Sequence, residues 1–182
     1  MKASPRRVVI LGPESTGKST LAADLASHYA TSWAPEYLRT FVQKKVPAPG
    51  RPVVEIGEMR AIVDGQIAAE DRALRRAKRV VFFDTNPLQS IVYYEHYFGR
   101  RRPAWLEDLL SRRTYDFYLL LDVDVPWVQD DQRDRPRFRR GLYRLFSAAL
   151  DERNAPFVRV FGTWPQRRAR AVRAVDRLLA RR

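Results

Sequence analysis

The stretch Gly12-Pro13-Glu14-Ser15-Thr16-Gly17-Lys18-Ser19-Thr20 restricts the fold of this chain more than any other. It fits the pattern of a phosphate-binding loop: Gly, four residues, then Gly-Lys-Ser. Its setting supports that reading. Val8-Val9-Ile10-Leu11 precede it, a β-branched apolar run that predicts a buried parallel strand. Leu21 and Leu25 follow it four residues apart, as on one face of a helix. Strand, loop and helix thus stand in the order that phosphate binding requires. Gly12 and Gly17 allow close approach of the backbone, so that the loop N–H groups can turn toward an anion at the helix N-terminus. Glu14, Ser15, Thr16 and Thr20 complete the cradle. Lys18 reaches the β- and γ-phosphates of a triphosphate, and Ser19 offers its hydroxyl to Mg²⁺.

The remaining strands predict where ligands gather, because open α/β sheets bind them at the carboxyl ends of their strands. Thr31-Ser32-Trp33-Ala34 reads as a short second strand that ends at Pro35, placing Glu36 at its carboxyl end. Val80 to Phe83 reads as a third strand, closed by Asp84. An acid directly after an apolar strand is the usual second Mg²⁺ contact of a phosphate-loop protein; the alternative, that Asp84 caps the next helix, would not exclude that role. Asp116 to Asp122 and Phe157 to Phe161 supply strands four and five.

Helices are predicted between them: about Lys18 to Tyr29, Val54 to Lys78, Leu88 to Phe98, Ala104 to Arg113, Leu142 to Arg153 and a last one after Thr163 that turns Ala169, Val172, Val175, Leu178 and Leu179 inward. Gly57 and Gly65 weaken the long second one. The expected fold is a three-layer α/β/α domain with a five-stranded parallel sheet, of the nucleoside- and adenylate-kinase-like phosphate-loop class, in one domain over residues 1–182. The charged segment at about residues 127–140 reads as a lid, with Arg133 and Arg135, and then Arg139, closing over the triphosphate.

Composition narrows the function. The formal charge is +13, and 29 of the 34 basic residues are arginine, since lysine stands only at 2, 18, 44, 45 and 78. The arginines are spread along the chain instead of forming one tract. Complementarity to a phosphorylated substrate is therefore expected, and specific nucleic-acid binding is not. With no cysteine and two histidines, disulfide and zinc chemistry are not expected. No apolar run approaches a membrane span, and a cytoplasmic protein is expected. No Asn-Lys-x-Asp motif for reading guanine is present, which favours ATP as donor.

Taken together, Gly12 to Ser19, Pro35-Glu36-Tyr37-Leu38-Arg39, Phe83-Asp84-Thr85, and Asp116 to Asp122 followed by Trp127-Val128-Gln129-Asp130-Asp131 resemble the nicotinamide riboside kinase domain of the NadR-type proteins of bacterial NAD synthesis. The resemblance extends over nearly the whole chain. It departs at Gln132, where the family's lid commonly carries glycine, and with only eleven residues ahead of the loop no adenylyltransferase or DNA-binding role is expected of this sequence. It implies ATP- and Mg²⁺-dependent phosphorylation of the 5′-hydroxyl of a nucleoside-like small molecule. In that setting Trp33, Tyr37 and Tyr93 would wall a cationic ring beside Asp84. Glu36 would take the hydroxyl proton while Asp84 serves metal and substrate, or the two would exchange roles. Arg39 would hold a phosphate or pair with Glu36. The alternatives are a phosphotransferase for another metabolite and an ATP-driven binding or switch module.

Overall fold

Every strand of the sheet runs parallel, in the order β2-β3-β1-β4-β5. The computed structural model describes residues 4–45, 54–99, 101–125 and 138–181. The strands are β1 (Arg6–Leu11), β2 (Trp33–Ala34), β3 (Val80–Asp84), β4 (Phe117–Leu121) and β5 (Phe157–Val160). The helices are α1 (Lys18–His28), α2 (Tyr37–Lys44), α3 (Met59–Arg76), α4 (Pro87–Phe98), α5 (Ala104–Ser111), α6 (Arg139–Glu152) and α7 (Trp164–Ala180).

Strand β1 lies at the centre, and Val8, Val9, Ile10 and Leu11 are wholly buried, as a strand covered on both faces must be. Alternation along it feeds two cores. Val9 and Leu11 join Val81, Phe83, Leu120 and residues of α3, α4, α5 and α6. Val8 and Ile10 join Phe82, Leu119, Leu121 and residues of α1 and α7. The expected three layers and five parallel strands are thus present.

Local boundaries moved for identifiable reasons. The predicted helix from Val54 begins instead as a single 3₁₀ turn, Ile56–Glu58, closed by a reciprocal Glu55/Glu58 capping box. Ile56, in this turn, is exposed. Helix α3 runs unbroken through Gly65, because the Tyr37 ring occupies the space a side chain there would need: a Cβ would lie 2.0 Å from Tyr37 Cε1. Helix α6 starts at Arg139, before the expected Leu142. Thr163 caps α7 in a box with Gln166. The buried stripe of α7 runs through Arg167, Ala171 and Val175, however, and Ala169 is not part of it. The predicted lid from Trp127 through Arg137 lies outside the described residues. Among the described residues, no helix is long and apolar enough to cross a membrane.

Candidate active site

Register decides which loops meet. Ile10 of β1 pairs with Asp84 of β3, so the end of β3 emerges beside the start of the phosphate loop. Ala34 of β2 pairs with Phe83, which sets Pro35-Glu36 on the far side of Asp84. Leu11 pairs with Leu120 and Leu121 with Val160, so Asp122 to Asp124 and the turn after β5 flank the loop on its other side.

The loop is held in a conformation that needs its glycines. Gly12 has φ +149°, and a Cβ there would lie 2.8 Å from the Leu121 carbonyl oxygen. Gly17, at φ +85°, caps α1, and a Cβ there would press on Trp164 at 3.2 Å. Between them Ser15 also has a positive φ of 56°. Left- and right-handed residues in succession turn backbone N–H groups toward one concavity, the geometry of an anion nest. The outward carbonyls are tied down. Thr16 Oγ1 and Lys18 Nζ both donate to Pro13 O, at 2.8 and 3.1 Å. Arg139 donates to Ser15 O at 3.1 Å, and Arg167 to Thr16 O at 3.0 Å. Lys18 is thus tethered over the loop, while Thr20 faces solvent on the first turn of α1.

Arg167 is a residue the sequence reading did not find. It is wholly buried, yet every guanidinium nitrogen is engaged. Nε donates to Gly162 O at 3.0 Å, Nη1 to Thr16 O, and Nη2 to Asp122 O at 2.9 Å and to the Asp124 carboxylate. One planar cation thereby joins the phosphate loop to the ends of β4 and β5. Arg139, expected in a moving lid, instead opens α6 and bridges Ser15 O and Val125 O.

Asp84 stands at the junction. It is buried, with Oδ2 accepting from Ser19 Oγ at 2.5 Å, whereas Oδ1 finds no hydrogen-bond partner among the described residues. Burial pushes its carboxyl up to about 6, and the Glu36 charge adds to this; Lys18, the Ser19 hydrogen bond and Arg39 oppose it. The next residue, Thr85, has φ +68°, rare for a β-branched side chain. It is pinned by Thr85 N donating to Ile10 O at 3.0 Å and by Gln66 Nε2 on its own carbonyl at 3.4 Å. Asn86, not Asp84, caps α4. That leaves the carboxylate of Asp84 turned to the loop, and strain held beside it is common where a ligand is positioned.

On the other side Glu36 caps α2 from its extended backbone and accepts from Gln89 Nε2 at 2.7 Å. Gln66 Oε1 receives Tyr37 N at 2.8 Å. Gln66 and Gln89 are both buried amides that sequence patterning did not single out. Tyr93, one turn beyond Gln89, has its hydroxyl pKa raised well above normal, first by burial and then by the charges of Glu36, Glu14, Tyr97 and Asp84. Tyr37 packs its ring on Gly65, and Arg39 is exposed but close enough for its charge to act on Asp84. Trp33 is not brought into this group; it packs with Tyr29 on the core beneath α1 and α7. Arg133 and Arg135 lie outside the described residues.

Comparison with known proteins gives a family and a shared fold. The family model AAA_28, an AAA domain, matches residues 7–167. The trifunctional NAD biosynthesis/regulator protein NadR of Escherichia coli (strain K12) is 33% identical over 161 residues, covering 85% of this chain and 38% of the relative. The chain thus spans less than two fifths of that curated protein. Crystal structures of NadR, with NR and with NAD and AMP-PNP, superpose with TM-scores of 0.82 and 0.80 at 19% identity, covering 98% of this chain and 51% of theirs. Thymidylate kinase from Ehrlichia chaffeensis follows at TM-score 0.68 and 14% identity, covering 95% of this chain and 100% of its own. At these identities the structures show a shared fold, whereas the family match covers most of the chain: it belongs to the AAA domain family.

Proposed function

We propose that the chain transfers the γ-phosphoryl group of ATP to the 5′-hydroxyl of a nucleoside, with nicotinamide riboside as the acceptor. One observation carries this reading. Two carboxylates stand side by side at adjacent strand ends with different partners: Asp84 is bound to Ser19 of the phosphate loop, and Glu36 is bound to Gln89 away from it. A donor side and an acceptor side are thereby distinguished. The similarity to the NadR protein and to NadR structures with NR and with AMP-PNP supports this choice of the two substrates.

The residues present fit Mg²⁺. Ser19 and Asp84 offer hard oxygen donors, and Asp84 Oδ1 is buried with no partner among the described residues. These two would hold the ion, which, when bound, neutralises charge on the β- and γ-phosphates. The loop N–H groups and Lys18 bind the phosphate chain. Glu36 orients the acceptor hydroxyl and receives its proton as the new oxygen–phosphorus bond forms and the bond to the ADP oxygen breaks. Arg133 and Arg135 of the charged segment are the proposed lid cations over the transferring group. Arg39 balances the two carboxylates, and Tyr37 and Tyr93 border the acceptor side.

The test is acceptor-dependent ADP release with a panel of nucleosides, nucleotides and sugars at fixed ATP. Nicotinamide riboside should accelerate release well above ATP alone. Acceleration by another panel member only, or by none, overturns the assignment.

A further inference from the structure

Gln89 lies on the first turn of α4 and is 4% exposed. Its neighbour Glu36 Oε1, 2.7 Å away, only accepts when ionised, so the amide nitrogen must face it and Gln89 Oε1 must turn elsewhere. That oxygen is buried and finds no hydrogen-bond partner among the described residues, as is also true of Asp84 Oδ1. Buried acceptors are rarely left unmade in a folded chain, and two of them on adjoining elements mark groups that a ligand completes. Tyr93, on the same face of α4, stands in the field of Glu36, Glu14 and Asp84. Among the described residues this part of the site is therefore rich in acceptors, and it suits a ligand that brings N–H or O–H donors.

We propose that Gln89 determines acceptor specificity: its Oε1 accepts an N–H of a carboxamide on the cationic ring, while its Nε2 holds Glu36 toward the ribose hydroxyl. The proposal rests on the riboside kinase reading above. The corresponding carboxylate would carry only acceptors into a site already rich in them. A methyl ketone in the same ring position matches the carboxamide in shape and lacks only the N–H. Sites built to meet a polar group reject an analogue that leaves their own group unpaired.

Three pyridinium ribosides test this on the unaltered protein: the 3-carboxamide (nicotinamide riboside), the 3-carboxylate and the 3-acetyl compound. Initial rates of ADP release give kcat/KM for each. The carboxamide should exceed the acetyl compound by about 10- to 100-fold, and the carboxylate should be poorer still. Gln89→Met should bring the carboxamide and acetyl values within about threefold of one another, with the KM for ATP unchanged. A merely structural lesion lowers all three alike and preserves their ratios. Equal use of carboxamide and acetyl compounds by the unaltered protein overturns the proposal, as does an unchanged ratio in Gln89→Met. If that variant does not fold, the first comparison decides alone. Phosphorylation of none of the three overturns the kinase reading itself, a result distinct from equal use.

Discussion

Gly65→Ala separates local helix chemistry from the packing that supports the site. In an isolated helix, replacing an interior glycine by alanine stabilises by about 1 kcal/mol. Here the new Cβ would lie 2.0, 2.3 and 2.4 Å from three atoms of the Tyr37 ring, far inside contact distance. Overpacking of this kind costs roughly 1–3 kcal/mol. Taking the middle of that range against the helix gain leaves a net loss of about 1 kcal/mol. In a Tyr37→Ala background the clash is gone, and the same substitution should stabilise by about 1 kcal/mol. The sign therefore reverses, and the coupling between the two positions equals the clash itself, about 2 kcal/mol. Urea unfolding of the four proteins, followed by circular dichroism at constant m, measures the cycle. Function should follow the ring. Tyr37 directly follows Glu36, and its N–H is held by Gln66 on α3, so Gly65→Ala should lower kcat/KM for the acceptor while sparing the KM for ATP. Equal stabilisation by Gly65→Ala with and without the Tyr37 ring would refute the packing argument.

Four further outcomes are expected. Glu36→Gln should lower kcat by roughly 10²–10⁴-fold with little change in the KM for ATP, and unchanged turnover excludes it as the base. Lys18→Ala should reduce transfer by at least about 10²-fold while the circular dichroism spectrum stays native, because its ammonium donates to Pro13 O within the loop and not to the sheet. Arg167→Met should destabilise by about 3–5 kcal/mol, since it strips the donor from three carbonyls and from Asp124; a loss under 1 kcal/mol in urea unfolding would contradict the keystone role. Glu70 predicts a pH dependence of stability far from the site. Burial pushes its carboxyl from 4.5 up to about 8, against the opposing Arg113 charge and the hydrogen bond from Tyr115. The folded state then keeps a proton that the unfolded chain releases. This contribution is complete below about pH 4.5, declines by up to about 1.4 kcal/mol per pH unit, and is lost above about pH 8. Glu70→Gln should remove that slope, so parallel urea stability curves for the two proteins between pH 5 and 7.5 would contradict it.

What could be read from the sequence follows from which physical signals are local. The phosphate loop is legible because its glycines, lysine and hydroxyl act within one short turn. The central strands β1, β3 and β4 are legible because they are buried on both faces over most of their length and are therefore apolar there, whereas the edge strand β5 carries an exposed Arg159. The carboxyl ends of the strands then point to Glu36 and Asp84, and parallel register brings both to the loop. The polar supports are a different matter. Gln66, Gln89 and Arg167 are buried, and each is tolerable only because a partner arrives from a distant part of the chain: Tyr37 N, Glu36 and Thr16 O respectively. No periodicity can announce a partner that is not nearby in sequence. Arg167 did leave a trace, since it stands four and eight residues before Ala171 and Val175 and so shares their buried stripe. In a helix crowded with arginine, that spacing was masked by the assumption that arginine faces water. Gly65 shows the same limit from the other side: as a helix residue it looks like a defect, and only the Tyr37 ring from another element makes it a requirement. Side-chain pattern thus locates the proposed reacting groups, while the groups that hold them in place become visible only when the sheet register has brought their partners together.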